Sequence, residues 1–73
     1  MAINYNKHFN INMNIQREKI IALIKKSKVV TSSEVAKFLK ISWNTADSYL
    51  KELLIEGVVL RIKKEGVNLW MQK

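Results

Sequence analysis

Hydrophobic and polar residues alternate along residues 3–15, with apolar residues at all odd positions but Lys7 and mostly asparagine at even ones. A period of two is typical of a strand with one buried face. Because asparagine is a poor strand former, we predict an extended N-terminal arm over residues 1–14. The alternating apolar residues of this arm are Ile3, Tyr5, Phe9, Ile11 and Met13.

From Gln16 onward the apolar residues recur at helical spacing. This predicts a first helix over about 15–27, followed by a short extended piece at 29–30. Thr31 and Glu34 have the spacing of a capping box, which predicts a second helix over about 32–39. We expect that helix to bury four apolar residues: Val35, Ala36, Phe38 and Leu39.

A third helix and a hairpin complete the predicted order. Ser42 is placed to cap a helix over about 43–56, and Gly57 follows where a left-handed residue ends many helices. After Gly57 the period returns to two, with a turn at 64–66. This pattern predicts a β-hairpin over about 58–71.

Two short helices joined by a tight turn form a helix-turn-helix, and a basic hairpin after them forms a wing. The stretches that carry this pattern are Thr31–Leu39, Ser42–Ala46, Tyr49–Leu53, Glu56–Gly57 and Leu69–Trp70. Over residues 15–71 the chain resembles the winged helix-turn-helix superfamily of DNA-binding domains, and especially small archaeal, plasmid or viral transcription regulators. The resemblance implies an α+β fold of three helices, a short strand and a C-terminal hairpin wing. We assign this domain to residues 15–73.

The composition of the 73 residues argues against several classes of function. Without cysteine the chain has neither disulfides nor thiolate metal sites, and His8 is its only histidine. Two glycines do not make a glycine-rich phosphate loop. We therefore expect no enzymatic activity, no metal, no cofactor and no small-molecule substrate.

The net charge of +7 indicates a polyanionic partner, most simply double-stranded DNA. The simpler alternative is charge that only keeps the protein soluble. No apolar run approaches the roughly 18 residues of a membrane span, and no basic-then-apolar leader opens the chain. We expect a cytoplasmic protein with no membrane partner.

The third helix carries the candidate base-reading residues. At 100° per residue, Asn44, Ser48 and Lys51 fall on the side opposite an apolar arc. All three can bond base edges or phosphates, and asparagine pairs well with adenine. The alternative is an ordinary solvated helix face.

Other candidates surround this helix. Ser32 and Ser33 begin the second helix, where free N–H groups favour phosphate, although simple capping explains them equally well. Trp43 either stacks on the DNA backbone or packs under the wing, whereas Trp70 is expected in the core. Arg61, Lys63 and Lys64 are placed at the hairpin tip, for the flanking backbone or the minor groove, or as charges that protect a strand edge. The complete predicted contact set is Ser32, Ser33, Ser42, Trp43, Asn44, Thr45, Ser48, Lys51, Arg61, Lys63 and Lys64.

One observation opposes the DNA interpretation. Residues 42–57 carry Asp47, Glu52 and Glu56 against Lys51 alone, and carboxylates repel phosphate. Their angular positions place them at the two edges of the helix, which leaves the central stripe free. The first alternative hypothesis is a winged helix that serves as a protein-interaction module in a larger assembly, and the second is a winged helix that binds single-stranded or looped RNA.

The small size of the chain also favours self-association. A core of 73 residues without disulfides or metals gains stability from a partner subunit. The apolar residues of the arm would form a patch large enough to mark an interface. We predict a homodimer in which the arms meet across a two-fold axis beside the first helix; the alternative is an arm that folds back on its own domain.

Overall fold

The computed structural model describes the backbone of residues 2–73 and the side chains of residues 15–73. This part of the chain forms three helices and three strands. They are α1 (Ala2–Ser27), β1 (Val29–Thr31), α2 (Ser32–Leu39), α3 (Trp43–Ile55), β2 (Val59–Lys64) and β3 (Val67–Gln72). The strands form one antiparallel sheet of order β1-β3-β2. This α+β arrangement is the predicted winged helix-turn-helix, with β2 and β3 as its wing.

The prediction of an extended conformation over residues 1–14 is wrong for residues 2–14, which belong to α1. An alternating pattern also contains residues four apart, such as Tyr5, Phe9 and Met13, and that spacing suits a helix equally well. A helix bonds its own backbone and extends readily once begun, whereas a strand needs a neighbouring strand. The side chains of residues 1–14, including His8, lie outside the described residues. A domain boundary at residue 14 therefore stays a prediction.

The predicted helix caps are confirmed by their hydrogen bonds. The Glu34 N–H donates to Thr31 Oγ1 at 3.1 Å, and the Thr31 N–H donates to Glu34 Oε1 at 2.8 Å. Ser42 Oγ accepts from the Thr45 N–H at 3.2 Å and so begins α3. These side chains satisfy donors that the first turn of a helix leaves free.

Two turns contain a glycine in the left-handed conformation. Gly57 has a φ of +81° after the end of α3, a conformation that glycine adopts without steric cost. Glu65 and Gly66 have φ values of 51° and 80° between β2 and β3. Two successive positive φ values are typical of the type I′ turn, whose twist matches a two-residue hairpin.

The core lies where the three helices meet one face of the sheet. Its buried apolar residues are Ile20, Ile24, Val30, Val35, Ala46, Leu50, Leu53, Val59 and Trp70. The predicted burial of Phe38 is wrong, because its side chain is 52% exposed. Phe38 lies about 100° around α2 from Leu39, and the core contacts α2 on the side of Val35 and Leu39.

Strand alternation leaves the other sheet face open. Val59 and Trp70 point toward the helices, and their neighbours point away because successive side chains alternate. Leu60, Ile62 and Val67 are consequently 41%, 47% and 48% exposed. The wing thus has a helix-facing side with a buried tryptophan and an apolar outer side.

Candidate nucleic-acid interface

The exposed side of α3 carries the three residues predicted to read bases. Asn44, Ser48 and Lys51 are all exposed, and the opposite side of the helix holds Ala46 and Leu50 in the core. The helical period therefore separates a packing face from a polar face, as expected. A face of this kind presents an amide, a hydroxyl and an ammonium to the surroundings.

The start of α3 holds two further residues of the predicted contact set. Ser42 Oγ donates to Thr45 Oγ1 at 2.8 Å, in addition to its bond with the Thr45 N–H. Both residues are exposed. Their hydroxyls therefore serve the N-cap of α3 and lie at the surface beside the polar face.

A groove separates the wing from the first turns of α2 and α3. It encloses about 310 Å³ and is lined by Thr31, Ser32, Ser33, Trp43, Lys63, Gly66, Val67 and Asn68. Four predicted contact residues from three elements thus line this groove: Ser32 and Ser33 of α2, Trp43 of α3 and Lys63 of β2. Trp43 is 49% exposed, so its indole lines the groove without being buried under the wing.

The sequence interpretation missed Asn68, which also lines this groove. Asn68 lies directly opposite Lys63 in the β2–β3 register. A two-residue turn at Glu65 and Gly66 fixes that register, so the turn itself was the signal that could have found it.

Ser32 requires a correction. Its side chain is buried, with only 4% of the residue exposed. Its hydroxyl accepts from Trp70 Nε1 at 3.0 Å and donates to Asp47 Oδ1 at 3.0 Å. Both hydrogen-bonding roles of this hydroxyl are thus used inside the protein, and the prediction that it anchors a phosphate is wrong. The expectation that Trp70 belongs to the core is confirmed, since it is fully buried.

The acidic residues of α3 are not placed as expected. Asp47, predicted at the edge of the helix, is 6% exposed, and its Oδ2 lies 3.0 Å from Lys51 Nζ. Glu56 forms a two-point ion pair with Arg17 of α1, at 2.6 and 2.8 Å. Two of the three carboxylates are therefore paired with cations, which removes much of the expected repulsion of phosphate.

The wing cations divide into two groups. Lys63 and Lys64 end β2 next to the turn, as predicted. Arg61 does not lie at the tip. It pairs with Trp70 in the middle of the hairpin, and its guanidinium carbon lies 5.9 Å from the centroid of that ring. This distance allows a cation–π contact.

Neither a metal-binding cluster nor a membrane-spanning helix is found in the described part of the chain. Within residues 15–73, no three histidine, cysteine or acidic side chains come together as a metal ion would require. None of the described helices is both long enough and apolar enough to cross a membrane.

The architecture and the polar face of α3 define a winged helix-turn-helix domain. The chain belongs to the family described as "Bacterial protein of unknown function (DUF977)", whose model matches residues 6–72. That description does not support the narrower resemblance to archaeal, plasmid or viral regulators.

A solved structure supports the same fold. An apo double mutant of ZitR from Lactococcus lactis superposes with a TM-score of 0.73 and is 23% identical in sequence. The match covers 99% of this chain and 56% of the ZitR chain, so this chain spans little more than half of that protein. No curated protein matches the sequence.

Proposed function

We propose that this protein is a sequence-specific, double-stranded DNA-binding regulator of transcription. The observation that carries the proposal is the groove in which Trp43 of α3 and Lys63 of the wing meet. Trp43 begins the helix that carries the polar face, so the groove joins a helix of major-groove size to a cationic hairpin. The winged-helix fold shared with ZitR is consistent with this use.

The proposed docking places α3 in the major groove. Asn44, Ser48 and Lys51 meet base edges, with Ser42 and Thr45 at the helix start close to the backbone. Ser33 and the free N–H groups of α2 face a phosphate. Trp43 lies against the sugar-phosphate backbone. Its half-exposed indole offers an apolar surface to deoxyribose, and Lys63, which lines the same groove, offers a cation to an adjoining phosphate.

The wing supplies the sequence-independent part of binding. Lys63 and Lys64 lie at its tip and contact flanking phosphates, which releases counterions from the DNA. Arg61 lies further from the tip, over Trp70, and contributes positive charge to the same hairpin. The proposal assigns no catalytic step, cofactor or small-molecule substrate to the chain, and places it in the cytoplasm.

Asn44→Ala is expected to reduce sequence preference. The preferred site is first selected from a random duplex library. Loss of a bidentate contact to adenine costs about 1–3 kcal/mol at one base pair. The variant should therefore lose more affinity for the selected site than for a random duplex. Fluorescence anisotropy with each duplex measures both affinities. Glu52→Ala on the same helix is the matched control and should keep the preference. An Asn44→Ala protein with unchanged preference would rule out this docking.

The exposed outer face of the sheet supports an alternative function, that of a protein-interaction module. Leu60, Ile62 and Val67 are exposed there, and exposed apolar patches often mark protein interfaces. A mobility shift with random duplex DNA at low salt separates the two functions. A DNA-binding protein shifts the duplex and loses affinity steeply as salt rises, whereas an interaction module leaves it free.

We also propose that the protein is a homodimer. Its small core and the exposed outer face of the sheet support association. Two protomers would place two α3 helices on a pseudo-palindromic site. Sedimentation at micromolar concentration should give a species of twice 8.5 kDa, and a single 8.5 kDa species there would contradict the dimer.

A further inference from the structure

A buried line of hydrogen bonds connects the wing to α3. Trp70 Nε1 of β3 donates to Ser32 Oγ of α2, and Ser32 Oγ donates to Asp47 Oδ1 of α3, each at 3.0 Å. The other carboxylate oxygen of Asp47 lies 3.0 Å from Lys51 Nζ. The line thus begins at a buried indole and ends at an ammonium on the polar face of α3.

The two ends of this line differ in exposure. The Asp47 side chain is 8% exposed and the Lys51 side chain 56% exposed. A carboxylate at this depth is stable only with hydrogen bonds and an opposite charge. The hydrogen bond from Ser32 fixes the orientation of the Asp47 carboxylate. The second carboxylate oxygen therefore has a defined direction, and this oxygen in turn fixes the position of the Lys51 ammonium.

We propose that Asp47 is a positioning residue for DNA recognition, which holds the Lys51 ammonium at one place on the polar face of α3 and offsets its charge. This inference rests on the proposed function. A fixed ammonium reaches a base edge or phosphate at one register of the helix on DNA. Because the Asp47 carboxylate neutralises the Lys51 ammonium, this ammonium adds little to counterion release from the DNA. Asp47 thereby favours the preferred site over random DNA.

Asp47→Asn is the direct test, because asparagine keeps the size and an oxygen that accepts from Ser32. The freed Lys51 should bind random duplex more tightly and steepen the slope of log affinity against log salt by roughly 0.9. The preference for the selected site over random duplex should fall about tenfold, the scale of one good base contact. If Asp47 had only a structural role, the substitution would instead weaken binding to both duplexes equally and leave the slope unchanged.

Glu52→Gln is the matched control, since it removes the same charge from an exposed position on α3. It should steepen the salt slope without reducing site preference. Lys51→Gln changes an exposed side chain, so this variant should fold normally. It should reduce the preference for the selected site as much as Asp47→Asn does, and it tests the positioning role even if Asp47→Asn folds poorly.

The outcomes separate the two proposals. If the wild-type protein prefers its selected site and both Asp47→Asn and Lys51→Gln keep that preference, the positioning role is wrong and the DNA-binding function stands. If Asp47→Asn matches Glu52→Gln in both slope and preference, general charge explains the effect and the positioning role is again wrong. If the wild-type protein shifts neither duplex at low salt, the proposed function is wrong and the positioning role falls with it.

Discussion

Replacing Trp70 with alanine should remove a large part of the protein's free energy of unfolding. Trp70 is the largest fully buried side chain, and truncation of a buried tryptophan costs about 3–5 kcal/mol. At roughly 0.05–0.15 kcal/mol per residue, a domain of this length has a total stability of about 4–11 kcal/mol. The substitution also removes the donor to Ser32, which leaves a buried hydroxyl with one partner fewer.

Urea unfolding followed by far-ultraviolet circular dichroism measures this effect without relying on tryptophan fluorescence. Trp43→Ala is the matched control, because the same side chain is removed from a half-exposed position. It should lower the free energy of unfolding by much less than Trp70→Ala. Equal decreases in the two variants would contradict the division between a core tryptophan and a groove tryptophan.

Removing both lysines at the wing tip should weaken binding to every duplex. In the double variant Lys63→Ala and Lys64→Ala, the affinities for the selected site and for the random duplex should fall alike, since phosphate contacts carry no direct sequence information. The slope of log affinity against log salt should flatten by roughly 0.9 for each phosphate that the wing no longer neutralises. Fluorescence anisotropy at three or more salt concentrations measures both quantities.

The positions of the two lysines refine this expectation. Lys63 lines the groove with Trp43, whereas Lys64 points to the opposite face because neighbours on a strand alternate. Lys63→Ala alone should therefore account for most of the effect. The control removes Lys25 and Lys26 from the last turn of α1, an equal change in net charge. A control with the same flattened slope would show that total charge, and not the wing, governs affinity.

Local signals explain why most of α2, α3 and the wing could be predicted from the sequence. The capping box of Thr31 and Glu34 and the cap of Ser42 join residues three positions apart. The turn at Glu65 and Gly66 fixes the hairpin register by itself. Such interactions form within one short segment, so their residues are recognisable wherever the segment lies in the fold.

Period alone did not identify the N-terminal segment correctly. The alternation of apolar and polar residues over residues 3–15, broken only by Lys7, predicted an extended arm, and the structure has a helix over Ala2–Ser27. The same positions include pairs four apart, so the pattern suits both structures. What separates them is the availability of a partner strand, which a helix does not need.

Local sequence patterns were sufficient to predict the order of the elements from residue 15 onward, their caps and turns, and the polar stripe of α3. The folded chain was needed to show that Ser32 and Asp47 are interior groups, that Arg17 pairs with Glu56, and that Trp43 shares a groove with Lys63. The physical reason is separation along the chain. Ser32 lies 15 residues from Asp47 and 38 from Trp70, and a serine that begins a helix has the same local signal whether its hydroxyl meets solvent or a buried carboxylate.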